Sequence, residues 1–219
     1  MEKKIVYEEL YSLQNQIMKI VFSLDNNFYL TGGTALHRFY FGLRYSDDLD
    51  FFTYKDVLFA ESIDELLDKI DDYGLNYHRS VRSKDFQRII IEERLQLDFV
   101  NDHSYRYGKS ELRGDYRIDN IINILTNKLS AIVDRDEEKD IFDLFAIARN
   151  QHFIWEDVLS IVNNKSLVDT EIIIERIRNF PLEWLKKIKQ INQFEIDKSL
   201  INRLIEDIVN RGKNSLYVG

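Results

Sequence analysis

The chain has 219 residues, enough for one large domain or two small ones around a sizeable core, and its 44% hydrophobic and 31% charged residues are those of a globular protein. No apolar run approaches the ~20 residues of a membrane span, and the opening MEKKIVYEELYSLQNQ lacks the apolar core and cleavage site of a signal peptide. A formal net charge of −8 argues against broad binding to a long nucleic-acid backbone, and the absence of cysteine, hence of disulfides and thiolate chemistry, fits the cytoplasm.

Apolar residues at helical spacing (Ile5, Leu10, Leu13, Ile17, Ile20, Val21, Leu24) predict an amphipathic helix over residues 3–24. NNFYLTGG reads as a short strand, 28–31, broken by Gly32-Gly33, with a helix over 34–43 that Thr34 is placed to cap. DLDFFT predicts a second strand, and ESIDELLDKIDDYG a helix stopped by Gly74. LNYHRSV, FQRIIIEE and RLQLDFVN predict three more strands, the last two joined by a tight turn. Beyond Ile118 the pattern is helical, at 118–134, 138–149, 155–163, 170–178, 182–191 and 197–211. Strands gather in the first half and helices in the second, the pattern of an α+β domain followed by a helical bundle. The polar, glycine-punctuated run HSYRYGKSELRGDYR (103–117) marks the boundary, giving domains at 1–110 and 111–219.

Chemistry concentrates in YLTGGTALHRFYFGLRYSDDLDFF, residues 29–52. Taken alone, Gly32-Gly33-Thr34 is either a plain turn or a phosphate cradle, where helix N–H groups lack partners and glycine admits close approach. On the following strand Asp48 and Asp50 share a face while Leu49 and Phe51 point to the core. In RLQLDFV, Leu95, Leu97 and Phe99 fix Asp98 on the opposite face from themselves. Three converging carboxylates would repel unless a cation sat between them, and hard oxygen ligands suit Mg²⁺ or Mn²⁺. In the helical half, Lys128 lies on the shoulder of an apolar stripe, where taken alone it reads as a snorkelling lysine whose stem covers the core. Asp140 and Asp143 share a face of a helix expected to be buried on most sides and need a cation, and Lys128 is their natural partner. The four histidines (37, 78, 103 and 152) lack metal-ligand spacing, and packing is the expected role of His37.

These motifs resemble the DNA-polymerase-β-like nucleotidyltransferases, which carry a Gly-Gly or Gly-Ser turn, a helix and Asp-x-Asp on the next strand. More narrowly, they are similar to the AbiEii-type toxin family, which includes the MenT toxins. The match runs through Gly32, Gly33, Thr34, Ala35, Leu36, Ser46, Asp48, Leu49, Asp50 and Phe51, then through Lys128, Leu129, Ala131, Arg135, Asp140 and Asp143. Lys139 stands where the family more often has arginine; it keeps the charge and loses the bidentate fork. The resemblance covers residues 28–150 and implies a nucleotidyltransferase-like mixed sheet with flanking helices, the helical domain completing an active-site cleft.

It further implies transfer of a nucleoside monophosphate from an NTP to an acceptor. Gly32, Gly33, Thr34 and Ser46 would hold the triphosphate, and Asp48 and Asp50 would ligate Mg²⁺ or Mn²⁺. Asp98 would join them and help deprotonate the acceptor. Lys128 would reach a phosphate, and Asp140 would orient Lys128 or contact the acceptor. Asp143 and Arg135 would form a structural buried pair, with Arg135 also counted at the substrate site. The MenT likeness implies a tRNA 3′ end as acceptor and a role as the toxin of a toxin–antitoxin or phage-defence system, with an antitoxin partner. A protein hydroxyl as acceptor, or an inactive nucleotide-binding or interaction module, are the rival readings. HRSVRSKDFQR (78–88), with Arg79, Arg82, Lys84 and Arg88, is either a tRNA-binding patch or a solvated strand edge.

Overall fold

Strand alternation builds the sheet. In the computed structural model, which describes residues 6–218, β2 (Leu49–Tyr54) buries Leu49, Phe51 and Thr53, and β5 (Leu95–Asp102) buries Leu95, Leu97, Phe99 and Asn101. The intervening side chains take the other face. β2 and β5 run parallel, with Asp50 opposite Asp98. β1 (Tyr29–Thr31) pairs antiparallel with β2, β4 (Phe86–Ile91) with β5, and β3 (Tyr77–Arg82) with β4. β7 (Tyr116–Ile118) lies parallel to β1 and antiparallel to β6 (Glu111–Arg113), completing a seven-stranded mixed sheet of order β3-β4-β5-β2-β1-β7-β6.

The hairpin β6–β7 occupies the run expected to be a domain boundary. Gly114, at φ +62°, opens its two-residue turn, and buried Ile118 in register with Leu30 anchors strands too short to show alternation. α1 (Tyr7–Ser23) buries Leu10, Ile17, Ile20 and Val21; positions 3–5 of the expected helix, Ile5 included, lie outside the described residues. α3 (Phe59–Asp72) ends where Gly74 turns left-handed at φ +68°. Phe28, Phe51 and Phe99 form the aromatic centre of this core, the last two stacked with ring centroids 5.3 Å apart.

The chain divides into two units, one within Met1–Ala35, Ser46–His103 and Ser110–Asp119, the other within Leu36–Tyr45, Ser104–Lys109 and Asn120–Gly219. The division therefore falls inside α2 (Gly32–Phe39), which begins two residues before the expected Thr34 and ends at Phe39. Gly42, at φ +64°, lies beyond its end and cannot extend a right-handed helix.

The second unit is helical: α4 (Ile121–Asp134), α5 (Glu138–Asn150), α6 (Trp155–Lys165), α7 (Thr170–Asn179), a 3₁₀ helix at Leu182–Lys187 and α8 (Lys198–Asn210). Every residue of α5 from Asp140 to Ala148 is buried, as its all-round apolar pattern predicts. The helix expected at 182–191 stops at Lys187 because the following backbone pairs elsewhere. Tyr45 N–H donates to Lys189 O at 3.0 Å, and Ile191 N–H to Leu43 O at 2.8 Å. Among the described residues no helix is long and apolar enough to cross a membrane.

Candidate functional site

In the first unit the strand β1 passes directly into α2 at Gly32, whose φ of +69° only glycine adopts without strain. A Cβ at this position would collide with the Asp50 carboxylate. The close approach has a simple origin. β1 and β2 are antiparallel with Thr31 opposite Asp50, so the side chain of Asp50 lies against the turn that follows Thr31. The glycine expected to admit a phosphate therefore first admits a carboxylate.

Asp48 stands just before β2, in a run held by three buried or half-buried side chains. Gln14 Nε2, in α1, donates to the carbonyls of Ser46 (3.0 Å) and Asp47 (3.2 Å), and Tyr11 Oη accepts the Ser46 N–H at 3.2 Å. The Thr34 hydroxyl donates to the Asp48 carbonyl. Thr34 is the third residue of α2 and not its cap, and its hydroxyl fixes the backbone from which Asp48 projects. Gln14 is fully buried on the apolar stripe of α1, and its isolation there was the signal that sequence reasoning passed over.

Asp98 has a different partner from the one expected. Arg88, its neighbour across β4–β5, donates from Nε and Nη2 to the two Asp98 oxygens at 2.7 Å each, and Gln96 adds a bond at 3.2 Å. Hydrogen bonding to Asp98, helped by Asp48 and Asp50, raises the Arg88 guanidinium further above its ordinary value. Among the described residues no group of three or more His, Cys, Asp or Glu is arranged to hold a metal ion. The expected trio is thus not gathered as ligands, because a bidentate guanidinium engages its third member. Asp48 and Asp50 lie near enough to act on the Arg88 guanidinium that Asp98 binds. Half-buried Asp48 and Asp50 supply hard oxygen donors that fit a divalent cation of the Mg²⁺ kind.

In the second unit Lys128 meets both aspartates of α5. Its Nζ lies 2.8 Å from Asp140 Oδ1 and 2.7 Å from Asp143 Oδ2. The pairing expected between Asp143 and Arg135 does not form: Arg135 binds Asp140, at 2.8 and 3.2 Å. Asp143 instead receives two bonds from Arg44 at 2.7 Å each and one from His37 Nε2 at 2.8 Å. Neither Arg44 nor His37 announces this role in sequence, since each lies about a hundred positions from its partner.

Burial alone would push the Asp143 carboxyl up, yet Arg44 and Lys128, with the His37 bond, hold it well below the usual carboxylate range. Asp140 is also lowered, Lys128 and Arg135 outweighing burial, and the same aspartates raise Lys128 against burial. Burial lowers His37, which donates through Nε2 as a neutral ring and leaves a buried Nδ1 without a partner. Two of the three ammonium donors of Lys128 are committed to this cluster, so one is left for a phosphate.

The basic stretch 78–88 lies on β3 and β4 and is partly neutralised. Arg79 pairs with Asp64 and Arg88 with Asp98, while Arg82 and Lys84 are exposed.

A family model described as nucleotidyl transferase AbiEii toxin, type IV TA system, matches residues 17–209. An uncharacterised protein of Aquifex aeolicus (strain VF5), aq_aa25, is 31% identical over 182 residues, covering 76% of this chain and 81% of its own. Two solved structures share the fold. JHP933 from Helicobacter pylori has a TM-score of 0.57 and 21% identity over 84% of this chain and 78% of its own. MenT4, a nucleotidyltransferase toxin from Mycobacterium tuberculosis H37Rv, has a TM-score of 0.58 and 16% identity over 94% of this chain and 82% of its own.

Proposed function

The chain belongs to the AbiEii family of nucleotidyltransferase toxins of type IV toxin–antitoxin systems, and we propose that it transfers a nucleoside monophosphate from an NTP to the 3′ end of tRNA. The observation that carries this reading is the seating of Asp50 against the Gly32 turn, which puts an acid and a helix start together. Gly32 and Gly33 would receive the triphosphate on the unpaired N–H groups of the first turn of α2, with the Ser46 hydroxyl as a further contact. Asp48 and Asp50 would hold Mg²⁺, or Mn²⁺ in its place. Such an ion, when bound, neutralises charge on the transferring phosphoryl group and lines up the attacking oxygen.

Asp98 keeps the role of receiving the acceptor proton, and Arg88 fixes its direction. Lys128 would contact phosphate through its remaining donor, and Asp140 would orient it. The acceptor follows from the MenT resemblance of the motifs. It leaves the protein cytoplasmic, with an antitoxin as partner.

The test is incubation of the whole chain with each α-labelled NTP, Mg²⁺, purified tRNA and a cell lysate. Label on the tRNA 3′ end, absent for Asp50→Asn, is expected. Label on a polypeptide would give the acceptor role to a protein hydroxyl, and no label on any polymer would overturn the reading.

A further inference from the structure

We infer that the segment from the end of α7 through the 3₁₀ helix is an RNA-contact surface, engaging phosphates through its cations and one unpaired base through Trp184. It rests on the RNA-acceptor reading above and names where, within the second unit, that RNA is held.

Charge is the first ground. Residues 176–189, RIRNFPLEWLKKIK, hold five basic side chains against one acid, Glu183, in a chain whose net charge is −8. Arg176 is tied to Asp136 (2.8 Å) and to the Val133 carbonyl (3.1 Å). Arg178, Lys186 and Lys187 are exposed and, among the described residues, make no ion pair. Cations left unneutralised in an acidic protein create a local positive field that draws in a polyanion. The stretch 78–88 instead uses two of its four cations on Asp64 and Asp98.

Stacking is the second. A 3₁₀ helix has three residues per turn, so side chains at i and i+3 eclipse, and Lys187 Nζ lies 4.7 Å over the Trp184 ring. The Phe180 ring meets Trp184 edge-on at 5.9 Å. With Pro181 and Asn179 they border a groove of about 400 Å³ whose lining also holds Asp136, paired with Arg176, and the exposed Glu175 at its rim. A half-exposed indole with Lys187 beside it suits a base stacked next to its own phosphate, and every base has a face to offer. An acidic polypeptide would satisfy the lysines and have no use for the ring, which favours RNA as the occupant.

The experiment follows tryptophan emission of the whole chain during titration with tRNA. Of the two tryptophans, Trp155 is fully buried, so Trp184 is the reporter. Saturable quenching is expected. Lys186→Glu with Lys187→Glu should weaken binding at least tenfold at an unchanged melting temperature. It should also flatten the plot of log K against log salt by about 1.4–1.8, the share of two phosphates. Trp184→Ala should cost roughly tenfold in anisotropy with labelled tRNA. If the double reversal unfolds the protein, Lys186→Gln with Lys187→Gln should give the same flattening.

Unchanged affinity and KM for tRNA in these variants would overturn the surface and leave the acceptor reading standing. So would loss of binding confined to Arg82→Glu with Lys84→Glu. Equal quenching by poly-glutamate would also overturn it, in favour of an acidic protein partner. A wild-type chain that binds no tRNA would overturn the acceptor reading and the surface with it.

Discussion

Two pairs of aspartates, Asp48 with Asp50 and Asp140 with Asp143, occupy opposite electrostatic worlds. The first pair is half-buried, near the Arg88 guanidinium that Asp98 binds. The second is all but sealed from solvent and is matched by Arg44 and Lys128, with Arg135 and His37 adding bonds. A buried charge must be compensated by the chain itself, because no ion from solvent can reach it easily. A half-exposed acid stays within reach of solvent ions, and a divalent cation would find hard oxygen donors there. The same residue type thus serves architecture in one place and chemistry in the other.

The sharpest way to break that contrast is to delete one acid from each pair. Asp143→Asn would leave Arg44 and Lys128 buried without their anion and should cost about 3–5 kcal/mol, read as a fall in the urea midpoint. Acid titration adds a direction. Asp140 and Asp143 are lowered in the folded state, so their contribution is complete above the ordinary carboxylate value of 3.8 and is lost as pH falls through their folded values. Stability should therefore hold down to the ordinary carboxylate range and then drop steeply, and Asp143→Asn should make that limb shallower.

Asp50→Asn is the counterpart. It should cut nucleotide transfer by roughly 10³-fold, the equivalent of several kcal/mol of charge stabilisation, while the melting temperature stays level or rises as repulsion is relieved. A variant that loses its fold along with its activity would erase the distinction between the pairs. Gly32→Ala falls between them in its effect on stability. The left-handed backbone costs about 1–2 kcal/mol for a residue with a Cβ, and the new methyl must push the Asp50 carboxylate aside. Calorimetric titration with Mg²⁺ and NTP should then show weakened uptake out of proportion to the modest loss in urea midpoint.

What could be read from the sequence was what period and local spacing encode. Alternation in DLDFF and RLQLDFV fixed the facing of Asp50 and Asp98, and apolar periodicity outlined the helices of the second half to within a few residues. Three features escaped because their cause is not local. The β6–β7 strands are three residues long and exist because Ile118 docks beside Leu30, some ninety positions away. Arg88 looked like part of a basic patch until cross-strand register set it opposite Asp98. The 3₁₀ helix ends early because its continuation pairs with residues 43–45, a competition that propensity cannot register. Within the candidate site, the positions of Gly32 and Asp50 were legible; the other commitment of the Thr34 hydroxyl was not.

The brace on Ser46 and Asp47 has a practical corollary for anyone trimming this polypeptide. The family match begins at residue 17, whereas Tyr11 and Gln14, which grip that run, precede it. An expression fragment cut to the matched region would keep every signature residue and discard two of the clasps that hold the strand entry in place.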